Sequence, residues 1–543
     1  MNVSRSGPGL LLAVILAGVA ACNGAGSGGG DDAAGRADAV LRRGNGGEPG
    51  TLDPARAEDV HAFNVLADLY EGLVAHDADG RLVPAAADSW GISADGLVYT
   101  FRLRREGRWS NGERVVAADF VAAFRRVLAP ATGSTYAYLL YPIRNAAEVG
   151  AGDLPPEALA VTATDPGTLV IELEAPAAHF LSVLALAVAY PEWSGQGFGA
   201  ARHPEPAAFV GNGPYVLDSR EPGHRLRLRR NPLYRQADEV AIEFVDYFAV
   251  VDPLTELNMY RSGEIDITAT VPGAQFESLR AERPGELVVA PALAVYYLAF
   301  DLSEPPFDDR SLRQALSMAI DRDRLVRLLG RGEAPAWGFV PDGVADYEPA
   351  RYDWRELESN ERQDAARRLY REAGYTSAEP LQATLVYDAG DDVHETIALA
   401  VGAMWREVLG VELSLDKREW KYFLSTRDQR SEWDLMRFAW SGDYNHPRTF
   451  LEILHSQSPQ NLPRYSSPAY DTAFAAAEEA TAARQRQLFA GAEAAMLADY
   501  PVVPLYFFVS KHLVRPGVTG FRPNVLDRHP SRYLRLDAAA RPR

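Results

Sequence analysis

The single cysteine of this 543-residue chain, Cys22, constrains the fold more than any other feature of the sequence. A disulfide within the chain needs two cysteines, and cysteine-based metal centres need several, so neither can stabilise the structure. Burial of apolar side chains must do so instead, and a hydrophobic content of 47% makes this feasible. The chain is too long for one hydrophobic core, and we expect two or three lobes.

Residues 1–22 have the pattern of a secretory signal. Arg5 precedes an apolar run at 10–17, and the segment ends in Val-Ala-Ala-Cys at 19–22. The apolar run is too short to span a bilayer permanently. Because the last four residues are similar to the lipobox of bacterial lipoproteins, we expect cleavage after residue 21 and acylation of the Cys22 sulfur. The alternative is an ordinary signal-peptidase site followed by an incidental thiol.

Residues 23–36 are rich in Gly, Ala, Asp and Ser and have no apolar periodicity. Such a composition is typical of a flexible coil, here reaching roughly 20 Å. We therefore expect residues 22–37 to tether a folded body to the lipid. After Cys22 no stretch approaches the ~20 apolar residues of a membrane helix, so the body is expected to lie outside the bilayer.

The body alternates strand patterns with amphipathic helix patterns. Period-two alternation or β-branched runs predict strands at 97–104, 169–173, 225–229 and 241–245. Apolar residues at helical spacing predict helices at 117–128, 312–329, 361–373, 395–409 and 469–500. This mixed order favours α/β lobes over a sandwich or a solenoid.

Several functions are disfavoured by the sequence. It has no Gly-x-Ser-x-Gly elbow and no phosphate-binding loop, and His394-Glu395 lacks the second histidine of a zinc motif. We therefore expect no catalytic residues, no cofactor and no metal, although a glycosidase carboxylate pair would leave no motif. A net charge of −19 argues against nucleic acid as a partner.

Eight short segments point to a family when they are taken in order. They are Leu52-Asp53-Pro54, Tyr70-Glu71-Gly72-Leu73, Trp109-Ser110-Asn111-Gly112-Glu113, Asn212-Gly213-Pro214-Tyr215, Arg230-Asn231-Pro232, Tyr260-Arg261-Ser262-Gly263-Glu264-Ile265-Asp266, Pro305-Pro306-Phe307-Asp308-Asp309 and Gly442-Asp443-Tyr444-Asn445. Each alone is common. Together, over residues 40–536, they resemble the extracytoplasmic solute-binding family 5, and most closely its oligopeptide-binding members that serve ABC importers.

The resemblance implies a three-lobed α/β periplasmic-binding-protein fold that closes by hinge motion around a buried ligand. Lobe I would comprise residues 38–70, 207–267 and 509–543, lobe II residues 71–206, and lobe III residues 268–508. It also implies a monomeric receptor in the periplasm or on the outer cell surface, anchored through Cys22. Its partners would be an oligopeptide and the permease subunits of an ABC transporter.

Asp443 matches the family aspartate that pairs with the α-amino group of a peptide. It lies in Trp440-Ser441-Gly442-Asp443, and the resemblance extends the peptide-binding assignment to Trp440. A buried charge-assisted pair would fix the register of the ligand. The alternative is a structural aspartate at a turn.

Five further residues match family positions around the ligand. Arg437, Arg427 and His394 match positions that meet the carboxylate ends of peptides of different lengths, and guanidinium groups suit carboxylates. Glu58 and Tyr136 match positions that line the cleft. The alternatives are surface arginines, a histidine at a helix start, an exposed acid in a loop and a packed aromatic ring.

The ligand is the most open part of the prediction. Glu304 stands where oligopeptide-binding members carry lysine, and Phe508 where they usually carry tyrosine, so a different length preference is possible. A dipeptide, a murein peptide or a non-peptide such as an oligosaccharide remains an alternative, since folds do not fix ligands. A lipid-anchored hydrolase or chaperone is the alternative from another class.

Overall fold

The computed structural model describes residues 40–195, 204–390, 392–429, 433–480 and 482–537. The predicted signal and tether, with Cys22, lie outside this part of the chain. Within it, no helix combines the length and the apolar character needed to cross a bilayer.

Strands and helices are mixed along the chain. In chain order the strands are β1 Val40–Gly44, β2 Val74–His76, β3 Leu82–Pro84, β4 Ala87–Ile92, β5 Val98–Leu103, β6 Val161–Asp165, β7 Thr168–Glu172, β8 Tyr215–Glu221, β9 Arg225–Arg230, β10 Phe244–Phe248, β11 Leu287–Phe300, β12 Ala334–Pro335, β13 Gln382–Asp388, β14 Glu412–Arg418, β15 Leu435–Ser441, β16 Val502–Leu513, β17 Val518–Thr519 and β18 Arg535–Leu536.

The α-helices range from a single turn to five turns. They are α1 Val60–Leu69, α2 Ala117–Leu128, α3 Ala146–Ala151, α4 Phe180–Val183, α5 Pro253–Ser262, α6 Phe276–Glu282, α7 Arg310–Met318, α8 Arg322–Leu329, α9 Ser359–Glu372, α10 Asp392–Leu409, α11 Trp420–Gln429, α12 Arg448–Leu451, α13 Pro468–Glu478 and α14 Ala482–Asp499. The predicted α/β class is confirmed.

Two of the predicted long helices are wrong as single helices. The predicted helix 312–329 divides into α7 and α8 because the Asp321 side chain accepts a hydrogen bond from the Arg324 N–H and caps a new helix. The predicted helix 469–500 divides into α13 and α14, which fold against each other with the rings of Phe474 and Phe489 5.4 Å apart. Apolar spacing continues across both breaks, so it does not reveal them.

A four-stranded sheet of order β1-β10-β9-β8 joins distant parts of the chain. β1 is parallel to β10, with Val40 opposite Phe244, and the other neighbours are antiparallel. Arg42, on β1, donates through its backbone N–H and its guanidinium to the buried carboxylate of Asp266. The N-terminal strand is thus held by a residue 224 positions later.

A second four-stranded sheet, of order β4-β5-β7-β6, is antiparallel throughout. α2 packs on it because its apolar residues recur at helical spacing, which buries Phe120 and Phe124 completely. Both four-stranded sheets contribute to one hydrophobic core, which runs from Leu41 to Tyr247 along the chain and adds a few later residues.

A six-stranded mixed sheet of order β12-β16-β11-β15-β13-β14 carries the second large core. β13 and β14 are parallel and joined through α10, which packs on both. β11 lies antiparallel between β16 and β15. β11 and β16 are long strands, and their pairing extends from Ala299 opposite Val502 to Leu287 opposite Leu513.

A buried ionic cluster around Glu71 ties three parts of the chain together. Its carboxylate accepts hydrogen bonds from Arg235 at 2.8 and 3.0 Å, from the Tyr234 hydroxyl at 2.7 Å and from Arg532 at 3.3 Å. Burial raises the pKa of Glu71, but the two guanidinium groups lower it more, and the net shift is downward. The carboxylate is therefore ionised and fully paired.

Replacement of Glu71 by glutamine should destabilise the fold strongly, because it leaves Arg235 and Arg532 buried without their counter-charge. We expect the free energy of unfolding to fall by about 3–5 kcal/mol, measured by urea denaturation at pH 7. The control is Glu407→Gln, which removes an exposed pair with Arg324 and should change it by less than about 1 kcal/mol. Equal urea midpoints for the two variants would contradict the role of the cluster.

Candidate functional site

A cavity of about 350 Å³ lies where distant segments of the chain meet. Its lining comes from segments 57–63, 136–139, 186–190, 292–294, 441–443 and 525–528. These belong to both large cores and to the C-terminal segment. A volume of this size at such a junction is typical of a ligand site.

Asp443 is placed in the cavity by the turn that follows β15. Trp440, on β15, packs partly buried against the second core, and its indole N–H donates to the Thr449 carbonyl at 2.7 Å. The hydroxyl oxygen of Thr449 in turn accepts a hydrogen bond from the backbone N–H of Asp443 at 3.2 Å. Trp440 therefore orients the turn from behind and is not among the residues that line the cavity.

The Asp443 carboxylate accepts a hydrogen bond from the Tyr138 hydroxyl at 3.1 Å. Burial raises the pKa of Asp443, and the Tyr138 hydrogen bond opposes this shift without cancelling it. Within the described residues no basic side chain forms an ion pair with Asp443. A cation brought by a ligand would supply the missing counter-charge.

Tyr136 lines the same cavity, and Glu58 lies at its rim. The Tyr136 ring packs edge-on against Phe63, with centroids 5.8 Å apart, and stacks on Tyr138 at 6.1 Å. Burial raises the pKa of Tyr136, and the carboxylates of Asp443 and Glu58 raise it further. Glu58 is exposed, next to Ala57 of the lining. The structure thus brings three predicted site residues together.

One edge of β15 is open beside the cavity. β13 pairs with β15 only at Leu435 and Met436, whereas β11 pairs with it from Leu435 to Ser441. Within the described residues, no strand covers the other edge of residues 437–441. The Gly442 N–H donates to the carbonyl of Leu293, which precedes the β11 residues paired with β15. Since backbone groups alternate in direction along a strand, those of 437, 439 and 441 face the open edge.

Arg437 begins this open stretch and already forms an ion pair with Asp388. Its guanidinium lies over the Phe423 ring, 5.0 Å from the centroid, and burial lowers its pKa. The His394 Nε2 lies 3.7 Å from the same carboxylate of Asp388, and the Tyr296 hydroxyl lies 3.2 Å from the His394 Nδ1. The structure therefore gathers Arg437 and His394 around Asp388.

Comparison with known proteins identifies the family to which these features belong. Residues 81–461 match the family described as bacterial extracellular solute-binding proteins, family 5 Middle. The chain belongs to this family. The family consists of binding proteins, so the expectation that the chain is not an enzyme is confirmed.

Individual family 5 proteins resemble the chain over most of its length. The periplasmic oligopeptide-binding protein OppA of Escherichia coli K12 is 37% identical over 492 residues, which cover 89% of each chain. The murein tripeptide-binding protein MppA, in its unliganded open form, gives a TM-score of 0.84 at 32% identity, covering 92% of this chain and 98% of its own. OppA of Haemophilus influenzae, in complex with RPPGFSPFR, gives 0.73 at 32% identity, covering 92% and 99%.

These likenesses confirm the predicted fold as the α/β solute-binding fold of OppA and MppA. The sequence identity is 32% against both structures, and the TM-score is higher against the unliganded open form of MppA than against the OppA–peptide complex.

One predicted site residue of this binding protein cannot be placed, and two residues of the site were not predicted. The side chain of Arg427, on α11, lies outside the described residues. Sequence reasoning missed Tyr138 and Asp388, although each contacts a predicted residue directly. Tyr138 is two residues from Tyr136 in a polar, aromatic stretch, which is the one local signal that pointed to it. Asp388 ends an apolar strand and resembles any residue at a strand end.

His512, Asp527 and His529 are the one group of described residues whose donor atoms lie close enough for a metal ion, within 4.8 Å of one another. The His512 Nδ1 lies 2.8 Å from the Thr268 carbonyl oxygen, so it carries a proton. Its Nε2 lies 2.7 Å from a carboxylate oxygen of Asp527, which calls for a second proton or another cation. A charged imidazolium bound to Asp527 accounts for both contacts.

The pKa values of this pair move in opposite directions. Burial lowers the pKa of His512, but Asp527 and the Thr268 carbonyl raise it more, to above 6.5. Burial raises the pKa of Asp527, but His512 and His529 bring it below its usual 3.8. The histidine's contribution to stability is therefore present below pH 6.5 and lost as the pH rises through its folded pKa. The aspartate's contribution is present above pH 3.8 and lost as the pH falls.

The Asp527→Asn variant should therefore lose most stability near pH 5.5. We expect a loss of about 3 kcal/mol at that pH and a smaller loss at pH 9, where a smaller fraction of His512 is protonated, measured by urea denaturation at both values. The control is Asp471→Asn, since Asp471 lies 3.6 Å from the partly exposed His455, and it should have a small effect at both pH values. An equal loss at pH 5.5 and pH 9 for Asp527→Asn would contradict the imidazolium assignment.

Proposed function

We propose that the protein is a non-catalytic receptor that captures oligopeptides outside the cytoplasmic membrane and delivers them to an ABC transporter for import. The open edge of β15 between Arg437 and Asp443 carries this proposal. A peptide of any sequence presents a regular series of N–H and C=O groups, and an added strand satisfies them without reading side chains. The likeness to oligopeptide-binding relatives supports the same conclusion.

The ends of the peptide provide its register. Asp443 pairs with the α-amino group of the peptide. This amine supplies the positive charge that no described residue provides. Arg437 lies six residues back along β15, or about 20 Å of extended chain, which is the span of roughly five to six residues. The carboxylate end of the peptide binds Arg437, which stays paired with Asp388 as well. His394 and Arg427 bind the carboxylate ends of peptides of other lengths.

The side chains of the peptide are accommodated more loosely. Ala439 and Ser441, on the open edge, are small and exposed. Tyr136 and Glu58 line or border the cavity and contact the first residues of the ligand, while water fills the space that smaller side chains leave. Such a site accepts many sequences at a modest loss of affinity.

Neutralising either partner at the amino end should weaken binding. For a tripeptide and a pentapeptide of alanine, we expect N-acetylation or Asp443→Asn to raise the dissociation constant at least about a hundredfold, because the buried charge loses its partner. Isothermal titration calorimetry measures this effect.

The matched control for this variant is Asp364→Asn, at an exposed helix position far from the cavity, which should bind as the wild type does. If acetylated and free peptides bind the wild type equally, Asp443 does not recognise the α-amino group.

The lobes close over the ligand by hinge motion. Lobe I comprises residues 38–70, 207–267 and 509–543, lobe II residues 71–206 and lobe III residues 268–508. The contact between Tyr138 and Asp443 joins lobes II and III beside the cavity. The higher TM-score against the open, unliganded MppA supports hinge closure, which would bring the open edge of β15 against lobe I.

A murein peptide is the second candidate ligand, and the likeness to MppA favours it. Such a peptide also presents carboxylates and an α-amino group, so Asp443 serves either ligand. Mass spectrometry of the ligand that remains bound through purification distinguishes the two, because diaminopimelate or D-glutamate residues identify a murein fragment.

The receptor is held at the membrane by lipid on Cys22, and residues 22–37 form its tether. Val-Ala-Ala-Cys at 19–22 and the absence of any other cysteine in the sequence support this assignment. Replacement of Cys22 by serine should move the protein from the membrane fraction to the soluble extracytoplasmic fraction and abolish labelling by an alkyne analogue of palmitate. A variant that stays with the membrane and is still labelled would exclude Cys22 as the anchor.

A further inference from the structure

Arg528 lines the same cavity as Asp443 and is held there by a rigid loop. The Asn524 side chain donates to the Arg528 carbonyl at 2.9 Å and accepts from the Arg528 N–H at 3.4 Å. On one side Asp527 is fixed by His512, and on the other the His529 ring stacks on Phe521 with centroids 3.8 Å apart. The backbone that carries this guanidinium has therefore little freedom to withdraw from the cavity.

The guanidinium of Arg528 forms no ion pair and no hydrogen bond with any described residue. The neighbouring carboxylate of Asp527 is already occupied by two histidines. The electrostatic neighbours of Arg528 include Tyr136 and Tyr190 of the cavity wall, and burial lowers its pKa.

Other buried arginines of this protein are satisfied by several acceptors. Arg322 donates to two carbonyl oxygens and to the Ser317 hydroxyl, and Arg313 donates to four carbonyl oxygens. Arg528 is half-buried without such acceptors, so its guanidinium is satisfied only by water in the cavity or by a bound anion. The space in front of it belongs to the ligand cavity.

We propose that Arg528 forms an anion subsite in the peptide cavity, which makes the receptor selective for peptides with an acidic side chain at the first or second residue. The inference rests on the proposed function, because it takes the α-amino group to lie at Asp443. Both groups line one cavity of about 350 Å³, so the side chains nearest the α-amino group are those that reach Arg528. A carboxylate accepts two parallel hydrogen bonds from a guanidinium, which a neutral amide cannot reproduce.

The test compares tripeptides that differ only in charge. Calorimetry on the intact protein measures Ala-Ala-Ala, Glu-Ala-Ala, Gln-Ala-Ala, Ala-Glu-Ala and Ala-Gln-Ala. We expect the wild type to prefer glutamate over glutamine about ten- to a hundredfold at one of the two positions, the range for a hydrogen-bonded charge pair. Arg528→Gln should abolish this preference while binding Ala-Ala-Ala within a few-fold of the wild type, and Arg528→Lys should retain part of it.

Two controls separate the possible causes. Arg324→Gln removes an exposed arginine away from the cavity and should leave the preference unchanged. A pentapeptide of alanine with glutamate at the fifth residue should gain nothing over its glutamine counterpart from Arg528, because that side chain lies beyond the cavity.

The outcomes distinguish this inference from the proposed function. If Ala-Ala-Ala binds and N-acetylation weakens it, but glutamate and glutamine bind alike, the function stands and the anion subsite is excluded. If Arg528→Gln weakens all peptides equally and Glu58→Gln does the same, the arginine pairs with Glu58 on closure and the subsite is again excluded. If no peptide binds, the proposed function itself fails.

Discussion

The long antiparallel pair of β11 and β16 is the constraint on which the rest of the structure depends. Both strands lie inside the six-stranded sheet, between β12 and β15, and the far end of the pair reaches Leu513, whose N–H donates to the Thr268 hydroxyl. The register of the pair shifts between Pro291 and Val295. Residues 292–294 in this irregular stretch line the cavity, and the Leu293 N–H donates to Val525. An interruption of regular pairing thus creates the place where a ligand can approach.

Backbone hydrogen bonds at the strand edge and charged side chains have different roles in the proposed recognition of a peptide. In the proposed function, the backbone groups on the open edge of β15 bind any extended peptide, because they do not read its side chains. Asp443 would then fix one end of the peptide and hence its register. Selectivity must then come from the groups that face the peptide side chains. Among the described residues of the cavity wall, the charged groups that form no ion pair are Asp443 and Arg528. Arg437 differs from both because Asp388 already neutralises it.

Local patterns in the sequence predicted several helices and strands well, but they predicted only part of the site. α2 coincides with the predicted helix, and β5, β7 and β9 lie within a residue or two of predicted strands, because each pattern depends on neighbours in sequence. Asp321 shows the limit, since one capping side chain ends a helix that apolar spacing would continue. Asp443 was found only through resemblance of the surrounding motif to a family.

The contacts of Asp443 and Arg437 were not predictable from sequence, because their partners Tyr138 and Asp388 lie 305 and 49 positions away.

In the proposed function, the same charges keep the empty receptor open. The carboxylate of Asp443 and the half-buried guanidinium of Arg528 form no ion pair with a described residue, and they are tolerated while water reaches them, since desolvation of an unpaired charge costs several kcal/mol. Closure of the empty receptor would remove that water and strand both Asp443 and Arg528. In the proposed site, the α-amino group of a peptide supplies the counter-charge for Asp443 and an acidic side chain supplies that for Arg528, and both replace the solvent as the lobes approach. The cost of desolvating Asp443 and Arg528 therefore favours the open form without a ligand. The same cost makes closure depend on a ligand that supplies both counter-charges.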